Sequence, residues 1–196
     1  MKKIQRLTCC VLLTAALLTG CASPYGKTSR LMQSASAPVA PPPAGKSLVC
    51  IHRPRSGQGY ALYTGIWDGT KLIADLGNGH SVAYVCEPGK HYFINRSAEV
   101  VGVVEADLLP DKTYDLCTHI AGAFVASFKL KPLKPGDKDY QQLPKLLTTQ
   151  IWVAPAPVAI EDYQSRKGKE VEQIIQDFVS GDKNDRLQHL SAEDHR

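Results

Sequence analysis

The 196-residue chain lacks a surplus of either charge once its amino terminus is set aside. Lys2, Lys3 and Arg6 belong to that terminus, and the remaining 20 Lys and Arg face 19 Asp and Glu. No Lys/Arg cluster falls on a periodic element, so the chain has no electrostatic footprint for nucleic acid. Cys-x-x-Cys, His-x-x-x-His and His-Glu-x-x-His are all missing, which removes the helical zinc spacing. So are Gly-x-Ser-x-Gly and the P-loop, and with them the strained serine elbow and the phosphate cradle. Beyond the amino terminus no apolar run approaches the roughly 20 residues that a membrane-spanning helix needs.

One apolar run does exist, at the start. Lys2, Lys3 and Arg6 precede Leu7 to Thr19, a stretch of small and apolar residues without charge. That is the layout of a secretory signal. At about 13 residues the run is too short to span a bilayer. It ends in Leu18, Thr19, Gly20 and Cys21, and this ending resembles the lipobox of bacterial lipoproteins. The resemblance implies thioether diacylation of Cys21, cleavage between Gly20 and Cys21, and acylation of the new amino terminus with a palmitate-type chain. The competing expectation is an ordinary secreted protein cut near Ala22 and Ser23. Each buried methylene contributes about 0.8 kcal/mol, and a single chain holds only marginally, so two or three chains on one residue make a lasting anchor. Ala22 rather than Asp follows Cys21. By the same resemblance this favours the outer membrane, with the head facing the periplasm or the surface.

The expected organisation has five parts: a signal over 1–20, a lipidated tether over 21–45, a β domain over 46–132, an irregular Pro-rich segment over 133–160, and a C-terminal helix with a polar tail over 161–196. The tether is rich in Ser, Ala and Pro and cannot build a core. Its prolines favour an extended spacer, whose upper reach at about 3 Å per residue is on the order of 75 Å.

Residues 46–132 carry strand signals at short intervals. Runs at 47–53, 60–67, 71–76, 81–86, 91–95, 100–107, 113–117 and 124–130 are β-rich, and Asp68-Gly69, Gly77-Asn78-Gly79, Pro88-Gly89 and Pro110-Asp111 separate several of them. Such a pattern predicts a mainly β fold, an antiparallel sandwich of seven or eight strands. The order of Pro54, Asp68-Gly69, Leu76-Gly77-Asn78-Gly79, Glu87-Pro88-Gly89-Lys90-His91 and Lys112-Thr113-Tyr114 resembles a family of small bacterial lipoprotein domains of unknown function, close in style to PEGA and carboxypeptidase-regulatory-like β-sandwiches. That resemblance implies a fold and no reaction. Where the family often has Gly before Lys-Thr-Tyr, this chain has Asp111, which leaves the turn type open.

After the β domain, 140–147 reads as one short helix broken at Pro144, and Trp152 reads as a cover for the sandwich edge or as part of a docking strip. At 169–179, Val171, Ile174, Ile175, Phe178 and Val179 form one apolar stripe, an amphipathic α-helix. Eleven residues are marginal alone, so the stripe needs a surface: its own sheet, a second copy or a partner. Residues 182–196 read as a frayed polar tail.

Few residues offer chemistry. Cys9 and Cys10 leave with the signal. Cys50, Cys86 and Cys117 fall on expected strands, as a candidate disulfide plus an odd thiol or as buried small hydrophobes; spacing does not choose the pairing. His80 and His91 flank one strand region and could meet Cys86 around a metal, but no metal site is assigned. The loop with Arg53, Arg55 and Gln58 is the candidate recognition surface, since sandwich loops carry recognition. The expectation is therefore a noncatalytic, lipid-anchored envelope head with no cofactor beyond the lipid on Cys21. Its partners are the membrane and an envelope protein or glycan. The alternatives are a small-ligand or glycan carrier, marked by a deep aromatic-lined pocket, and a periplasmic hydrolase or metal site using the His and Cys residues.

Overall fold

The structure is a computed structural model that describes residues 26–38, 41–96, 101–121, 127–183 and 186–196. Gly20, Cys21 and residues 124–126 of the last expected strand lie outside these. Eleven strands occur among the described residues: β1 (Met32–Ser34), β2 (Ser47–His52), β3 (Thr64–Asp68), β4 (Lys71–Leu76), β5 (His80–Cys86), β6 (Gly89–Arg96), β7 (Val101–Leu108), β8 (Thr113–Ala121), β9 (Ser127–Pro132), β10 (Ile151–Pro155) and β11 (Gln188–Leu190). A 3-10 turn (Lys138–Gln142) leads into helix α1 (Leu143–Thr149), and helix α2 runs over Pro157–Val179.

The strands form two sheets. One has the order β1-β10-β5-β2-β8-β9 and the other β11-β7-β6-β3-β4. The two-sheet, mainly β architecture matches the expectation. Its antiparallel character and its count of seven or eight strands do not. β2 runs parallel to β8, β10 to β5, and β11 to β7. Strands joined by tight turns, such as β3 with β4 and β6 with β7, pair antiparallel. Parallel neighbours need long crossovers, which turn residues do not announce. The chain leaves β2 for the other sheet and returns twice before β8 lies beside it.

The main core fills the space between the sheets. Val49 and Ile51 from β2, Tyr114 and Leu116 from β8, and Phe93 and Val104 from the facing sheet are all buried there. Alternation sends their neighbours outward. On the six-stranded sheet those outward residues are covered by α1 and by Trp152 of β10: Leu143 and Leu146 pack with Cys117, and Leu147 and Trp152 pack with Leu48 and Cys50. On the five-stranded sheet α2 lays Ile160, Val171 and Phe178 over Trp67, Leu72 and Ile94. The stripe therefore packs on its own domain. The helix is 23 residues long, because Ile160 and Tyr163 extend the stripe through a polar stretch containing Gly168.

Three expectations about the flanks change. Residues 26–38 are not a free spacer: Leu31 and Met32 are buried, and β1 pairs with β10. Pro144 does not break a helix but sits in the first turn of α1, where its missing N–H would have had no intrahelical partner. The polar tail contains β11 and ends with Arg196 N donating to Thr113 O at 3.0 Å. The open turn at Asp111 is resolved as well. Asp111 has a φ of 61°, a conformation that Asp tolerates better than most side chains, and its Oδ1 accepts Gly45 N at 2.7 Å.

The two sheets approach closely where β7 passes β9. A Cβ on Gly102 would stand 2.8 Å from Leu130 N, so only hydrogen fits. Gly102→Ala is expected to push the sheets apart and to cost about 1–3 kcal/mol, as overpacking does. A urea melt of the variant beside the parent chain measures it; an unchanged midpoint would mean that the contact is slack.

Candidate functional site

Arg53 was expected in a recognition loop, and the structure corrects that. Its side chain turns inward and is 2% exposed. Its guanidinium donates to Leu62 O at 2.5 Å, Leu76 O at 2.6 Å and Gly59 O at 2.8 Å, and it lies 4.4 Å over the Phe128 ring. Burial lowers its pKa to about 10. Arg is suited to this place because its planar fork can satisfy several carbonyls at once. Arg53 therefore fastens the loop 54–63 and is not free to meet a partner. Arg55 and Gln58 do lie exposed on that loop.

Gln58 and Ser56 border a cleft of about 370 Å³ that His119, Asp139 and Gln142 close from the other side. Thr118 Oγ1 and His119 Nε2 are buried there without a hydrogen-bond partner among the described residues. Burial lowers the His119 pKa.

On the other side of the loop a groove runs between α2 and the five-stranded sheet. β3 supplies Trp67, α2 supplies Tyr163, and the end of the loop supplies Tyr63; the hollow measures about 390 Å³. The Trp67 and Tyr163 rings are 6.2 Å apart at 35°. Gly65 keeps the groove open, since a Cβ there would lie 3.2 Å from Trp67 Nε1. Tyr63, Asp75 and Tyr163 also line an adjoining hollow of about 350 Å³ that reaches Ser29 and Arg30. Polar groups are held in place around the rings. Ser29 Oγ donates to Asp75 Oδ2 at 2.5 Å, and burial raises the Asp75 pKa. Glu170 pairs with both Arg96 and Lys167 at the rim. Aromatic walls with a few fixed polar groups are the ordinary make-up of a small-molecule site. The groove is open to solvent, unlike the deep aromatic-lined pocket expected of a carrier. Tyr163 was missed because α2 was read only from residue 169; the spacing of Ile160, Tyr163 and Val171 could have found it.

The six-stranded sheet holds a buried relay on its outer face. His52 Nδ1 lies 2.9 Å from Ser81 Oγ and His52 Nε2 lies 3.0 Å from Asp115 Oδ1. Arg196 Nε donates to Asp115 Oδ2 at 2.7 Å, and its Nη2 approaches Cys50 Sγ at 3.8 Å. Ser, His and Asp in hydrogen-bond contact are the residue types of a hydrolytic triad. Here Ser81 and His52 have no exposure and Asp115 has 2%, and Trp152 stands edge-on 5.8 Å from the His52 ring. No substrate reaches Ser81 in this arrangement. The relay satisfies polar groups that the sheet buries.

The remaining candidates separate in space. Cys50, Cys86 and Cys117 are free and buried. Cys86 belongs to the core between the sheets, while Cys50 and Cys117 face α1. Cys50 pairs in register with Asp115 and His52 with Cys117. The two outer cysteines are thus diagonal neighbours about 7–8 Å apart, beyond disulfide reach. The candidate disulfide is not formed. Burial raises the Cys50 and Cys86 pKa values to about 12, which makes these thiols inert. His80 and Cys86 occupy opposite ends of β5, about 20 Å apart along an extended strand. His91 turns to Asp68 and Glu87 O instead. The metal cluster of His80, His91 and Cys86 does not assemble, and no group of three metal-ligand side chains occurs among the described residues.

No protein-family model, no curated protein and no solved structure matches this chain.

Removing the centre of the relay tests whether it supports the sheet. Asp115→Ala leaves His52 and Arg196 without their shared acceptor, and breaking such a buried pair costs about 3–5 kcal/mol. Thermal or urea unfolding reads the loss; a change under about 0.5 kcal/mol, the size of an ordinary surface substitution, would show that the relay carries no stability.

Proposed function

We propose that this chain is a lipid-anchored protein of the bacterial cell envelope, held through Cys21, with a noncatalytic head that binds a glycan or a similar polar small molecule. The groove at Tyr63, Trp67 and Tyr163 carries the binding reading. Tyr63 and Tyr163 offer apolar ring surface to the C–H face of a sugar ring above the buried Trp67, and Asp75, Arg96 and Lys167 offer acceptors and donors for hydroxyls. The sealed position of Ser81 and His52 speaks against the hydrolase alternative. The anchor rests on the run ending in Leu18, Thr19, Gly20 and Cys21. With Ala22 following, the outer membrane is the favoured site, and the head supports an envelope assembly there. The likeness to PEGA-style lipoprotein domains agrees with this reading through its turn motifs alone.

Two measurements test the proposal. Cys21→Ser should release the protein from sedimented membranes; a variant that stays bound after a salt wash would show that lipid is not the anchor. Titration of the full chain with envelope oligosaccharides, followed by NMR, should shift signals of groove residues. Tyr163→Ala should weaken that binding about tenfold, the effect of losing roughly 1.4 kcal/mol of aromatic contact. No shift with any oligosaccharide would remove the glycan reading.

A further inference from the structure

The lipid on Cys21 has consequences for which end of the head meets the membrane. Only residues 22–25 separate Cys21 from Gly26, and Gly26 is already fixed to the head: its N–H donates to Asn78 O at 3.0 Å. Five extended residues reach at most about 18 Å. The end of the sandwich that carries Gly26 therefore stays close to the lipid surface.

That end has a distinct surface. Asn78 Oδ1 accepts Ser56 N at 2.9 Å, which ties the loop 54–63 beside Gly26. The buried Arg53 holds the same loop from within. The loop displays Tyr60, Leu62 and Tyr63 at 41%, 44% and 39% exposure. These are three of the six exposed large hydrophobic residues among those described, gathered in four positions. Basic residues belong to the same end: Arg30 lines a hollow with Tyr63, Arg55 lies on the loop and Lys27 follows Gly26, all three exposed, and residues 22–67 contain no Asp or Glu. Tyrosine favours the membrane interface, where its ring is apolar and its hydroxyl meets water, and basic side chains are drawn to anionic headgroups.

We propose that the loop 54–63, with Tyr60, Leu62, Tyr63 and the basic Lys27, Arg30 and Arg55, seats on an anionic phospholipid surface beside the anchor, so that the head lies on the membrane instead of standing off it. This rests on the lipid-anchor reading of Cys21. The cations supply attraction and the apolar tips enter the headgroup layer.

The test uses the full lipidated protein in vesicles of phosphatidylethanolamine and phosphatidylglycerol. An environment-sensitive fluorophore is placed at Leu62→Cys, with Ala61→Cys as a second position and Val85→Cys as a reference. Val85 is exposed and lies near the far end of β5, about 17 Å from His80 along the strand. The native thiols are buried and do not compete for label. Flotation first reads whether the protein is anchored. Brominated lipids should then quench the probe at 61 or 62 and leave the probe at 85 in water. Arg30→Gln and Arg55→Gln should each lower the ratio of seated to lifted heads about fivefold, an effect that high salt mimics. A protein that does not float refutes the anchor and this inference with it. A protein that floats with equal, aqueous probes at 62 and 85 keeps the anchor and overturns the seating. Protection of position 62 in native envelope membranes but not in pure lipid would assign the surface to another envelope component and overturn it likewise.

Discussion

β2 is buried along its whole length, and the rest of the molecule follows from the need to cover both of its faces. Val49 and Ile51 point between the sheets, where the five-stranded sheet closes on them. Leu48, Cys50 and His52 point the other way, and an open sheet would leave them to water. Trp152, Leu147 and Arg196 come from the last quarter of the chain to cover that side. A buried imidazole adds a second demand, since both ring nitrogens need partners. Ser81 supplies one from β5 and Asp115 the other from β8, and Arg196 balances the carboxylate. Segments that look like tails are therefore part of the wall.

A similar economy operates at the end of the sandwich near Gly26. Arg53 is buried at the end of β2, where an unpaired guanidinium would be costly. It is satisfied by carbonyls of the loop it fastens, so satisfying the charge and ordering the loop are one event. The ordered loop then separates two hollows, the polar cleft at His119 and the aromatic groove at Tyr163. The groove, the residues that follow Cys21 in sequence, and exposed Lys27, Arg30 and Arg55 all belong to this end.

Much of the β framework was legible from residues 46–132. Each of the eight expected strand runs overlaps one of the strands β2 to β9, although residues 60–63 of the second run lie in the loop before β3, because period-two alternation and turn residues are local signals. The misses share a cause. β1, β10 and β11 are short and come from Pro-rich or polar stretches, and they become strands only because an edge or a neighbour is there to pair with. β10 sits between β1 and β5, a place that nothing in Ile151-Trp152-Val153 announces. The helix was under-read for a related reason: Glu161 to Gly168 looks polar, and only the sheet beneath Tyr163 makes that turn pay. Among the candidate site residues, Arg53 is expected on a recognition surface and is instead a buried clamp. A loop arginine and a buried clamp have the same local sequence.

By itself the sequence determined the local and covalent matters: the charged and apolar start with Cys21 after Gly20, the strand runs and their turns, and one helical stripe. Each depends on neighbours within a few residues. The tertiary structure alone decided which way each side chain faced and what met it. It put Cys86 on one face of a sheet and Cys50 and Cys117 on the other, sealed Ser81, His52 and Asp115 beneath Trp152, and brought Tyr63 to Tyr163 across a groove. Those outcomes rest on contacts between residues tens to more than a hundred positions apart, whose closure depends on the whole core.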